Sequence, residues 1–208
     1  MSVEKVMAHK PRVEMIAETR AKLVAAARQA FGTVGYAEAS MDDFTAGAGL
    51  TRGAIYHHFG DKKGLLRAVI AEIDGEMSGR LSAVSKRAPS LWQGFVDECV
   101  AYVEMALEPE IQRIVLLDGP AVLGDPSQWP NQGECIRIMS RNLKALAAEA
   151  TIMDVDPDAM AHLVNGAMLY ASLLIANAED PKLASKNAVR ALKTMLNGLL
   201  VKSDPSAP

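Results

Sequence analysis

Apolar side chains recur along this chain at steps of three, four and seven residues almost from end to end, and no segment alternates with a period of two. That is the signature of helices that each bury one face, so the sequence predicts an all-α, nine-helix protein. Ile16, Leu23, Ala27, Ala30, Phe31 and Val34 mark a first helix over about 12–31, closed by Gly32 and Gly35, since glycine tolerates the left-handed helix end. Ser40 with Asp43 forms an S-x-x-D capping pattern for a short second helix reaching about Ala46. Thr51 suits the N-cap of an equally short third helix ending near Phe59. Asp61 opens a long fourth helix with Leu66, Val69, Ile70, Ile73, Met77, Leu81 and Val84 on one stripe. A fifth carries Leu91, Phe95, Cys99, Val103 and Leu107 at four-residue steps. A short sixth, about 110–117, runs into the glycine- and proline-rich "DGPAVLGDPSQWPNQG", read as a loop. The seventh covers about 134–150, the eighth begins at Pro157, and Pro181 opens the ninth.

The composition is that of a soluble globular protein: 208 residues, half of them apolar and 23% charged. Cys99 and Cys135 are the two cysteines and lack CxxC spacing, which disfavours a disulfide scaffold or thiolate zinc site and fits a reducing cytoplasm. The charged N-terminal stretch has no apolar core of a secretory signal. Residues 159–178 carry no formal charge, a bilayer-length run, but His162, Asn165, Ser172 and Asn177 interrupt it. Their hydration would be lost in lipid, so this run reads as a helix buried in protein and not as a membrane span. Net charge is −3, unevenly spread: residues 1–67 hold ten basic against seven acidic side chains, the remainder 12 against 18. A basic head on an acidic body is the asymmetry expected when only the head meets a polyanion.

Residues 40–59 have the layout helix, tight glycine turn, helix, that is, a helix-turn-helix. Met41, Phe44, Ala48, Leu50 and Ile55 are spaced to pack beneath the pair, leaving the first turn of the third helix exposed. Its free N–H groups and positive dipole end favour anions.

The stretch "SMDDFTAGAGLTRGAIYHHFGDKKGLL" resembles the DNA-binding signature of TetR-family transcriptional regulators, with Gly49, Leu50, Thr51, Gly53, Ile55, Tyr56, His58, Phe59, Lys62 and Leu65 on matching positions. The match covers about residues 12–67, and "LLDGPAVLG" is similar to a C-terminal segment of some members. Gly47, where alanine is more usual, and Gly64 depart from the pattern, and each is expected to weaken its helix by about 1 kcal/mol relative to alanine. The resemblance implies an N-terminal helix-turn-helix head and a C-terminal helical ligand-binding and dimerisation bundle. The expected division is an arm over 1–11, a DNA-binding domain over 12–67, an effector and dimerisation domain over 68–202, and a disordered tail over 203–208.

It further implies a dimeric repressor that binds a palindromic double-stranded operator and is released by a small, largely apolar effector, with no cofactor and no enzymatic activity. Arg52 has the planar fork suited to guanine, and Gly53 and Ala54 are small enough to let the helix approach base edges. Thr51, Tyr56, His57, His58, Lys62 and Lys63 are the candidate phosphate contacts, Tyr56 also reaching a thymine methyl. His57 and His58 are adjacent, so they diverge by about 100° on a helix and do not share a metal; no metal site is expected. Dimerisation is expected through helices of about 157–178 and 182–202, where Ala161, Gly166, Ala167 and Ala171 permit close approach. Phe95, Cys99, Tyr102, Met105, Met139, His162, Asn165 and Met168 are the candidate effector lining. A competing reading, an enzyme using Cys99 or Cys135 with His162, lacks a recognisable third orienting group.

Overall fold

The computed structural model describes residues 11–201, leaving aside the side chains of residues 47 and 48. Of the arm expected over 1–11 only Pro11 is described, and the tail over 203–208 lies outside the described residues. Among the described residues every regular element is helical, apart from a single antiparallel bridge between Ile152 and Leu200. The chain forms two compact units, Met1–Val69 and Ile70–Pro208.

The first unit begins with α1, Arg12–Val34. Gly32 does not end it. Phe31 is fully buried against the rings of Tyr36 and Phe44, at centroid distances of 5.4 and 5.3 Å, and the helix continues to Gly35. There φ turns to 84° and the Gly35 N–H donates to the Phe31 carbonyl at 3.0 Å. Leu23, Val24 and Ala27 complete the buried stripe, whereas Ile16 and Val34 are exposed. α2, Met41–Ala48, starts with a capping box: Ser40 Oγ accepts from the Asp43 N–H at 3.1 Å, and Asp43 Oδ2 accepts from the Ser40 N–H at 3.3 Å. Such reciprocal capping satisfies two donors that a helix start otherwise leaves bare. Gly49 then takes a left-handed conformation, φ 64°, which turns the chain into α3, Arg52–Phe59.

α4, Lys62–Arg87, begins in the first unit and ends in the second. Asp61 Oδ1 caps it by accepting from the Gly64 N–H at 2.6 Å. Gly64 does not act as the helix-weakening departure anticipated: a Cβ there would stand 1.9 Å from the Phe59 carbonyl oxygen, so the tight α3–α4 turn requires glycine.

In the second unit α5, Leu91–Glu104, passes into a 3-10 turn, Met105–Leu107. The sixth helix is longer than its glycine and proline suggested. A π-helix, Ile111–Asp118, runs directly into α6, Gly119–Leu123. The wide turn lets the Gly119 N–H reach the Ile114 carbonyl five residues back, and Pro120 sits in the first turn of α6, where a missing N–H costs nothing. A 3-10 turn, Pro126–Gln128, leads to α7, Gln132–Ala148. α8, Pro157–Ala176, and α9, Pro181–Asn197, start alike: Asp156 accepts from the Ala159 N–H at 2.7 Å and Asp180 from the Leu183 N–H at 3.0 Å, each followed by proline. α8 packs on α5, α7 and α9, burying Ala161, Val164, Met168 and Ile175 among others. Full burial of a valine, methionine or isoleucine side chain of this kind contributes about 1.5–3 kcal/mol.

Candidate nucleic-acid interface

Ile55 is the buried residue of α3, seated with Phe44 of α2 in the core of the first unit. Everything in the first turn points the other way. Thr51, Arg52 and Gly53 are exposed and Ala54 is half-buried. Thr51 occupies the N-cap position, but its hydroxyl makes no capping hydrogen bond; the Ala54 N–H bonds the Thr51 carbonyl instead, at 2.9 Å. The hydroxyl and the Arg52 and Gly53 N–H groups are thus left for an outside acceptor. A Cβ on Gly53 would meet only Thr51 Oγ1 at 3.6 Å, so nothing in the fold demands a glycine there.

Further along, Tyr56 is 59% exposed. His57 is exposed and His58 half-buried, their rings edge-on with centroids 5.2 Å apart. Phe59 is half-buried, with the Arg20 guanidinium 5.3 Å from its ring centroid. Among the described residues no group of three or more His, Cys, Asp or Glu could hold a metal ion.

Two of the cationic side chains are already engaged. Arg52 donates from Nε and Nη2 to the two carboxylate oxygens of Asp42 on α2, and this pairing pushes its pKa further up. Lys62 lies 4.3 Å from the Tyr36 ring centroid and donates to the Ala37 carbonyl at 3.5 Å. Lys63 is exposed.

The second unit encloses a cavity of about 300 Å³ between α4, α5, α7 and α8. Phe95, Cys99, Tyr102, Met139, Asn165 and Met168 line it. Met105 and His162, grouped with them on sequence grounds, do not. Met105 is buried elsewhere, six residues past Cys99 and so about 120° around a helix from it. His162 is exposed, because steps of three drift by about 60° each and Met168, Asn165 and His162 fan out from the cavity. Burial pushes the Cys99 thiol up to about 12, so it stays protonated.

Residues 23–69 match the family described as bacterial regulatory proteins, tetR family, and residues 92–199 match a tetracyclin repressor-like C-terminal domain. The HTH-type transcriptional regulator BetI 2 of Chromohalobacter salexigens is 30% identical over 193 residues, 92% of this chain and 80% of that protein. The chain belongs to the TetR family. It is a helix-turn-helix transcriptional regulator. A crystal structure of a TetR-family regulator from Pectobacterium atrosepticum superposes with a TM-score of 0.86 at 50% identity, over 94% of this chain and all of that one. The HTH-type regulator SrpR of Pseudomonas putida is 43% identical over 54 residues, about a quarter of either chain.

In this TetR-family chain, sequence periodicity missed Asp42, Tyr36, Asp74 and Glu98. Asp42 and Tyr36 act on Arg52 and Lys62 across turns, which no spacing rule reports. Asp74 and Glu98 left a signal: Asp74 stands four residues from Ile70 and three before Met77, and Glu98 lies between Phe95 and Tyr102, both within inward-facing arcs. Burial raises the pKa of each carboxyl, offset in part by hydrogen bonding to Asn131 and Ser85 respectively.

Proposed function

We propose that this TetR-family regulator is a cytoplasmic, dimeric repressor that holds a two-fold-symmetric operator and is released when a small molecule with a large apolar part fills the cavity of its second unit. The observation that carries the DNA half is α3, anchored by Ile55 and presenting Thr51, Arg52, Gly53 and Tyr56 to solvent. In this reading Arg52, with Gly53 and Ala54 beside it, addresses base edges in the major groove. Thr51, Tyr56, His57, His58, Lys62 and Lys63 address phosphates.

Dimerisation through α8 and α9 is supported by large apolar side chains left outside the unit's own core. Leu163 and Tyr170 are 68% and 70% exposed, and Leu174, Leu183 and Met195 are also exposed. A patch of this kind on a soluble domain marks an interaction surface, and a closed two-fold contact matches a two-fold operator. Effector control follows if the ligand-filled cavity favours an α4 position that separates the recognition helices from their half-sites; the ligand must bind that state more tightly for the equilibrium to move.

The test is a salt-dependent titration of the protein with DNA from its own upstream region. Affinity falling steeply and linearly on a log–log plot against salt, with a stoichiometry of at least one dimer per site, is expected. Binding no tighter than to scrambled DNA of equal length would sink the proposal.

A further inference from the structure

The cavity of the second unit is charged in one direction. Asp74, Glu98 and Glu134 reach its wall, and no lysine, arginine or histidine does. Glu134 has its own partner, an ion pair with Arg137 along α7. Asp74 and Glu98 have no cationic partner among the described residues: Asp74 accepts from the neutral Asn131 Nδ2 at 2.8 Å, and Glu98 is hydrogen-bonded by the neutral Ser85 hydroxyl. Both lie largely out of solvent, and their fields converge on the Cys135 thiol at the cavity edge.

The cavity also offers a hydroxyl: half-buried Tyr102 lines it, and among the described residues that hydroxyl makes no hydrogen bond. Two partly buried carboxyls with no cation beside them cost stability in the empty protein. Such a cost is retained where a ligand removes it. The remainder of the wall is apolar and adaptable: Met77, Leu81, Phe95, Ile138, Met139 and Met168.

Resting on the reading of this cavity as the effector site, we infer that the effector is an organic cation: a positively charged nitrogen set against Asp74 and Glu98, with Tyr102 beside it, and an apolar body lying on the methionine and phenylalanine wall. A metal ion is the wrong occupant, since the described residues offer no cluster of three ligating side chains and the apolar wall would then stay empty. An anion meets two carboxylates and no compensating charge.

The test uses three compounds that share one body and differ in charge at pH 7: 4-phenylbutylamine, 4-phenylbutanol and 4-phenylbutyrate, each titrated calorimetrically into the intact protein. The amine is expected to bind at least tenfold more tightly than the alcohol, and the acid more weakly than either. Asp74→Asn and Glu98→Gln are each expected to weaken the amine about tenfold while leaving the alcohol within twofold. Equal affinity for amine and alcohol, preference for the acid, failure of the amine to bind at millimolar concentration, or an unchanged amine affinity in both variants overturns the inference. Operator release is measured separately with the same compounds. Release by the alcohol and not by the amine preserves the effector reading and removes the cation. Tight amine binding without release preserves the cation and removes the effector role.

Discussion

Arg52 and Asp42 form a two-pronged ion pair between the start of α3 and the first turn of α2. Both side chains are exposed, so the pair adds little to stability. Its effect is on the conformation of Arg52, whose fork is held by a carboxylate of the kind of geometry that guanine would also satisfy. If Arg52 reads a base as proposed, it must exchange Asp42 for that base. Asp42→Asn is expected to raise affinity for scrambled DNA several-fold while changing operator affinity less, narrowing the specificity ratio in a competition assay. Arg52→Ala is expected to cost about 1–3 kcal/mol on the operator and to relax sequence preference at one position per half-site. Equal losses on operator and scrambled DNA would refute the base-reading role.

Lys62 and Lys63 are neighbours with different surroundings. Lys62 stacks on Tyr36 and Lys63 stands free in solvent. Lys62→Ala should therefore lower unfolding stability by about 0.5–1 kcal/mol through the lost cation–π contact, and reduce the salt slope of DNA binding by about one. Lys63→Ala should change the salt slope alone. Urea titration beside the binding curves separates the two.

The glycines at 53 and 64 invite opposite outcomes. Gly53→Ala fills open space in a helix and should stabilise the protein by up to about 1 kcal/mol, while weakening operator affinity by keeping α3 out of the groove. Gly64→Ala drives a methyl group into the Phe59 carbonyl and should sharply lower the thermal midpoint. A Gly53→Ala protein with full operator affinity would show that α3 does not approach DNA through its first turn.

Asp74 gives a pH test with a definite sign. Its pKa is raised in the folded chain, by burial. The folded state then holds the proton more tightly than the unfolded state does, so the group favours folding at low pH. That contribution fades as pH rises from the ordinary carboxylate value of about 3.9 through the raised folded one. Asp74→Asn removes the cost of the buried charge. In the absence of ligand it should raise the thermal midpoint at pH 7 by roughly 2–4 °C, equivalent to about 1 kcal/mol in a chain of this length, and the gain should shrink towards pH 4. A variant less stable than the parent at pH 7 contradicts the account.

Tyr170→Asp or Leu163→Asp, on the exposed face of α8, is expected to shift sedimentation from dimer to monomer at micromolar concentration. Operator affinity should fall with it, because two half-sites are no longer joined. A dimer unchanged in both variants places the contact elsewhere.

The legible part of this molecule was what local physics decides. The Ser40–Asp43 capping box, the left-handed Gly49 and the proline starts of α8 and α9 are each written within four residues of sequence. Contacts that cross from one element to another were not legible: Arg52 pairs with Asp42 and Lys62 stacks on Tyr36 across turns, and Met105 stands outside the cavity, about 120° around the helix from Cys99. The continuation of the sixth helix through Gly119 and Pro120 was hidden because a π-helix breaks the spacing that periodicity reads. The two carboxylates of the cavity were visible as letters and overlooked, since Asp and Glu on a helix read by default as solvated.

The turn between α3 and α4 has so little room that the Phe59 carbonyl occupies the place a side chain at 64 would take. Mechanically this is a joint without backlash. The first turn of α4 is packed directly against the end of α3, with no long linker between them. If α3 enters the groove as proposed, so close a joint would pass a shift of α4 on to it, and Gly64 is the residue that lets the joint close.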